Sequence, residues 1–262
     1  MGWRRSILTA GALALMTLTS TARADVAGYL APSSAPDMIR VLPSPPAAKS
    51  AAEDEDLRAY KATRHLAGSP RWSLAQQDNR GSPEDFFKDF ACSLGVTLDT
   101  ASAPTLNILL LRVIKDARPF IDPAKDHYAR KRPYLVIPGD ICIDKSASLA
   151  KSGSYPSGHS TVSWAVGLIF AQLAPDRTTE ILSRARVYSE SRVVCGVHYP
   201  SDIAAGRLDG SALFSAIEAD PQFRADLEKA KAEVAAARAA ASSKPDAGMC
   251  KVETDAEAQQ PW

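Results

Sequence analysis

Between Pro156 and Pro175, the residues Val162, Ala165, Val166, Ile169, Phe170 and Leu173 recur at the spacing of one helix face. Apolar groups on a 3.6-residue period must be covered on one side, so this run commits the chain to helix packing. Leu106, Leu109, Leu110, Val113 and Ala117 repeat the pattern, and Phe86, Phe87 and Phe90 follow the helix opener Pro83-Glu84-Asp85. Helical patterning also begins near Glu53. It recurs through Ile181, Ala185 and Tyr188, with Asp176 as the expected cap. A further stretch after Pro200 carries Ile203, Leu208 and Leu213, and Glu228 to Ala241 is rich in the strong helix formers Ala, Lys and Glu. Alternating strand patterns and internal repeats are absent. The fold class this predicts is all-α, a single helical-bundle domain at residues 53–241.

The ends read differently. Trp3-Arg4-Arg5, a short apolar run from Ile7 to Thr19 and Ala22-Arg23-Ala24 have the layout of a cleaved secretory signal peptide over 1–24. The run is too short for a good membrane span, so no stable membrane insertion is expected after cleavage. Residues 25–52 hold Pro32, Pro36, Pro43, Pro45 and Pro46 and predict an extended Pro-rich arm or linker outside the core. Residues 242–262 predict a polar C-terminal tail.

Lys and Arg total 31 against 30 Asp and Glu, a net charge of +1, which falls to −2 if Arg4, Arg5 and Arg23 leave with the signal peptide. No overall field therefore favours nucleic acid, and any anion site must concentrate positive charge locally.

Three clusters supply such a concentration. The first is Lys125-Asp126-His127-Tyr128-Ala129-Arg130-Lys131-Arg132-Pro133. Lys125 and Arg132 stand seven apart, nearly two helical turns, and so are expected on one face, with Arg132 near a helix end before Pro133. Alone, this also fits a solvated basic face. The second, Gly153-Ser154-Tyr155-Pro156-Ser157-Gly158-His159-Ser160, leads into the strongest helix. Unpaired amides and the helix dipole make such a terminus a phosphate site. Gly158 lets the backbone approach an anion, Ser157 adds a hydroxyl, and His159 stands beside them; an ordinary start with Ser157 as cap fits equally. The third runs from Ser191-Arg192 to His198-Tyr199-Pro200-Ser201-Asp202. A carboxylate four residues after a histidine can fix its tautomer and leave the other nitrogen free to attack, although structural His–Asp pairs are common. His65 and His127 belong to none of this chemistry.

Together the clusters hold a nucleophile with its orienter, a second imidazole, three cations and a helix N-terminus, the parts that phosphoryl transfer needs. Cys92, Cys142, Cys195 and Cys250 are widely spaced, which argues against a zinc site, and export would permit disulfides. Four cysteines allow three pairings. Cys142 with Cys195 is expected, because both lie beside segments that must converge, and Cys250 is expected to be free.

Lys-x6-Arg-Pro, then Pro-Ser-Gly-His, then Ser-Arg-x5-His-x3-Asp resembles the tripartite signature of the type 2 phosphatidic acid phosphatase superfamily. The longer runs Ala124–Pro133 and Gly153–His159 are similar to class A bacterial non-specific acid phosphatases, which are secreted. The resemblance covers roughly residues 53–240. It implies a metal-independent phosphomonoesterase of broad range, without cofactor, periplasmic or secreted, and a homo-oligomer. His198 would attack phosphorus and Asp202 would hold it. His159 would protonate the leaving oxygen, and Lys125, Arg132, Ser157, Gly158 and Arg192 would bind phosphate. The segment Arg118–Pro123 departs from the expected pattern and puts substrate preference at the pocket mouth in question. A vanadium haloperoxidase-like enzyme and a non-catalytic phosphate-binding protein are the alternative readings.

Overall fold

The computed structural model describes Met1, residues 26–240 and residues 244–262. Apart from Met1, the expected leader over 1–24 lies outside the described residues. No strand occurs among them, and no helix among them is long and apolar enough to cross a membrane.

Thirteen α-helices follow in order: α1 Met38–Val41, α2 Ala51–Thr63, α3 Pro70–Gln77, α4 Pro83–Asp89, α5 Ala91–Leu94, α6 Pro104–Tyr128, α7 Pro133–Val136, α8 Ala147–Lys151, α9 Gly158–Leu173, α10 Thr178–Val194, α11 Pro200–Glu218, α12 Pro221–Ala239 and α13 Ala247–Ala258, counted among the described residues. Many open by one local device. A Ser or Asp side chain accepts an otherwise unpaired amide at the starts of α2, α3, α4, α8, α9, α12 and α13. Proline, which has no amide to satisfy, stands in the first turn of α3, α4, α6, α7, α11 and α12.

The stripe that opened the sequence reading becomes α9, the central helix, packed between α10 and α11 with α6 and α12 closing around it. Val166, Ile169 and Phe170 are wholly buried. Phe90 meets Phe170 edge-on and stacks near Tyr188. Each such side chain contributes roughly 1.5–3 kcal/mol by leaving water. The α9–α11 approach is close because Gly206 has no side chain. A Cβ there would lie 2.6 Å from the Ser157 carbonyl and 2.8 Å from Ser160 Cβ.

Several expectations need correction. Residues 25–52 are not outside the core: Tyr29, Met38 and Leu42 are buried in it. The Tyr29 and Leu30 amides donate to Asp116 on α6 at 2.7 and 3.2 Å, and Arg112 lies 3.7 Å over the Tyr29 ring. A Pro-rich segment has amides without secondary-structure partners, and a buried carboxylate takes them. Within the expected polar C-terminal tail, α13 packs on α10, α3 and α5 and buries Glu253 beside Arg184. Cys250 is joined to Cys92 rather than free, while Cys142 joins Cys195 as expected. Asp176 does not cap α10. It lies in the preceding 3-10 turn and pairs with Arg238.

Gly206→Val should lower stability by roughly 1–3 kcal/mol through overpacking against the start of α9. Urea unfolding measures this, and an unchanged midpoint would contradict the close approach.

Candidate active site

Five helix ends converge on one cleft of about 710 Å³. The last turn of α6 brings Lys125. Arg132 is not on that helix: α6 stops at Ala129, whose φ of +44° turns the chain, and Arg132 becomes the N-cap of α7. The expected shared face is therefore replaced by a turn that swings Arg132 back towards Lys125's end of the cleft. Gly158 and His159 are the first residues of α9, Arg192 lies in the last turn of α10, and His198 lies just before α11. All six of these residues line the cleft.

The His198 ring is oriented from both sides. Arg132 Nη1 lies 3.0 Å from His198 Nε2. A guanidinium only donates, so Nε2 must accept and carries a lone pair. The proton is then on Nδ1, which donates to Asp202 Oδ2 at 3.3 Å. Asp202 is fully buried at the third position of α11. Its Oδ2 also accepts from the Tyr199 amide at 2.9 Å and Ser154 Oγ at 2.5 Å, while Oδ1 accepts from Arg130 Nη1 at 2.6 Å. Arg130 Nη2 reaches on to Asp56 at 2.8 Å.

The second imidazole, His159, has Nε2 3.0 Å from the Asn79 carbonyl. Arg192 Nη1 donates to Asn79 Oδ1 at 2.9 Å, and its buried Nε has no hydrogen-bond partner among the described residues. Lys125 Nζ donates to the Gly153 carbonyl at 2.5 Å. Ser157 takes the capping role: its Oγ accepts from the Ser160 amide and hydroxyl, and it does not itself line the cleft.

This crowding of cations sets the protonation states. The Arg192 charge, aided by burial, pushes His159 down to about 3. Burial and then the charges of Arg132, Lys125 and Arg192 hold His198 well below the usual imidazole range. Burial, with Arg132 nearby, brings Lys125 down to about 7, and burial brings Arg192 down to about 10. The cleft therefore favours two neutral imidazoles amid positive charge, which a dianion would neutralise.

The sequence reading missed Arg130, Asp56, Ser154 and Asn79 as parts of this site. Arg130 and Ser154 sit inside the quoted clusters, so proximity to the motif was a usable signal. Asp56 and Asn79 had none, because they arrive from α2 and the end of α3 by long-range packing. His65 and His127 are exposed and away from the cleft. Among the described residues no group of three or more His, Cys, Asp or Glu side chains could hold a metal ion.

Arg130→Gln would leave the Asp56 and Asp202 carboxylates buried without their cation. A loss of roughly 3–5 kcal/mol is expected from breaking such a pair. Adding Asp56→Asn should recover part of it, and no recovery in urea unfolding would deny the coupling.

Residues 102–224 match the PAP2 superfamily, a stretch that contains Lys125, Arg132, Ser157, Gly158, His159, Arg192, His198 and Asp202. The chain is 40% identical over 84% of its length to an acid phosphatase of Zymomonas mobilis, covering 83% of that protein. It is 33% identical to a non-specific acid phosphatase of Providencia stuartii, over 79% of this chain and 84% of that one. A non-specific acid phosphatase of Salmonella typhi is 30% identical, over 85% and 90% respectively.

Proposed function

The chain belongs to the PAP2 superfamily, among its bacterial acid phosphatases, and from that premise we propose that it hydrolyses phosphate monoesters through a phosphohistidine at His198. The observation that carries this reading is His198 Nε2. Arg132 keeps it unprotonated, and it lines a cleft with three cations.

In the first step the phosphoryl oxygens are held by Lys125, Arg132, Arg192 and the amide end of α9 at Gly158, where the helix dipole favours negative charge. Arg132 Nη1 moves from Nε2 to a phosphoryl oxygen, and Nε2 attacks phosphorus. The bond to the ester oxygen breaks, and that oxygen leaves with a proton from His159. The Nδ1 proton stays between His198 and Asp202, which stabilises the charge arriving on the ring. In the second step His159 takes a proton from water, the oxygen attacks phosphorus, and the His198–phosphorus bond breaks to release orthophosphate. An alcohol in place of water gives phosphotransfer as a side activity.

Side chains in the cleft already supply the positive charge, so this route needs no metal. The walls are mixed. Ile114, Ala117, Ile121 and Val162 offer apolar surface, Ser146 and Ser148 offer hydroxyls, and Arg118 and Asp122 stand at the edge. Leaving groups of several kinds fit such walls, which supports a broad range of monoesters. The leader-like residues 1–24 and two disulfides support export to the periplasm or beyond. The family resemblance adds assembly of several copies to this reading.

Rapid quench with a labelled phosphomonoester in EDTA tests the route. Label is expected on His198, and loss of turnover in EDTA with recovery on a divalent metal would overturn the metal-free step. His159→Ala should slow hydrolysis of an alkyl phosphate far more than of p-nitrophenyl phosphate, whose leaving group needs no proton.

Protonation should also be linked to binding. A dianion raises both His159 and Lys125 from their depressed values towards the ordinary range, so sulfate should bind more tightly as pH falls and take up protons. Calorimetry near pH 7 in buffers of different ionisation enthalpy measures the uptake; a value of zero would contradict a depressed Lys125.

A further inference from the structure

Asn79 lies outside all three clusters, yet it touches two of the groups that the mechanism uses. We propose that Asn79 is a positioning residue: its backbone carbonyl selects the reacting nitrogen of His159, and its side-chain oxygen sets Arg192. This rests on the phosphohistidine reading for its consequence in catalysis, although its geometry stands alone.

A carbonyl can only accept. At 3.0 Å from the Asn79 oxygen, His159 Nε2 therefore carries a hydrogen whether the ring is neutral or charged. The proton that comes and goes is then the one on Nδ1, and Nδ1 is the atom that serves the leaving oxygen. Arg192 has no acceptor, so the amide of Asn79 must turn its oxygen, not its nitrogen, to Nη1 at 2.9 Å. With Nη1 so engaged, the buried Arg192 Nε has no hydrogen-bond partner among the described residues.

Asn79 can do this because its neighbours are clamped. Asp78 is wholly buried and accepts from Arg184 at 2.6 and 3.2 Å and from Ser191 Oγ at 2.5 Å. The Tyr188 hydroxyl donates to the Arg80 carbonyl. Residues 184, 188 and 191 lie one turn apart on one face of α10, the helix that also carries Arg192. Segment 78–80 is thus fixed at both sides of Asn79 to the helix whose arginine it orients. Among charged or titratable groups, His159 feels Arg192 from α10, Lys125 from α6, and Arg132 and His198 from the segments before α7 and α11.

Two measurements test this. In protein labelled with 15N-histidine, long-range proton–nitrogen correlation, assigned with His159→Gln, should place neutral His159 in the Nε2–H form. An Nδ1–H form overturns the proposal. The tautomer is a ground-state property, so it is decided whether or not a phosphohistidine forms. Asn79→Leu removes the oxygen facing Arg192 and should raise KM for p-nitrophenyl phosphate about tenfold, with a smaller change in kcat. Asn79→Asp keeps that oxygen but adds a charge. It should move the alkaline limb of kcat/KM to higher pH, because a carboxylate offsets the Arg192 charge beside His159. A native KM in Asn79→Leu, or no pH displacement in Asn79→Asp, would refute the role.

Discussion

The buried carboxylate of Asp202 is the point on which the site is built. It accepts hydrogen bonds from the His198 ring, the Ser154 hydroxyl, the Tyr199 amide and Arg130, so donors from three segments of chain are tied to one pair of oxygens. A charge without such partners would be costly to hold away from water. Arg130 supplies the compensating cation, and Asp56 in turn compensates Arg130. The result fixes the His198 ring without placing a second anion in the cleft, where it would oppose a phosphoryl group.

The cleft itself is arranged the other way, with cations left short of carboxylate partners. Lys125 and Arg132 are satisfied mainly by backbone carbonyls, at Gly153, Leu149, Ser152 and Val197. Carbonyls orient these side chains while leaving their positive charge uncancelled. Both imidazoles are consequently pushed towards the neutral form.

Most of the helices were legible in the residues, and the structure brings six of the eight candidate site positions to the wall of one cleft. Apolar spacing marked α6, α9, α10 and α11, and three motifs marked segments that meet at the cleft. Residues whose partners are far away in sequence were misread. Tyr29 and Met38 looked like parts of a loose arm because prolines near them say nothing about Asp116, which receives the arm's amides. Cys250 looked free because polar neighbours conceal that Glu253 faces a buried arginine.

By itself the sequence determined the helical architecture, through the period of its apolar residues, and marked three segments rich in cations, histidine and serine that the fold brings to one cleft. The tertiary structure alone decided which cysteine meets Cys92, which cation balances Asp202, and which carbonyl faces His159. Those outcomes depend on long-range packing and, for Asn79, on a backbone oxygen that every residue possesses. No side-chain pattern records where such an atom will point.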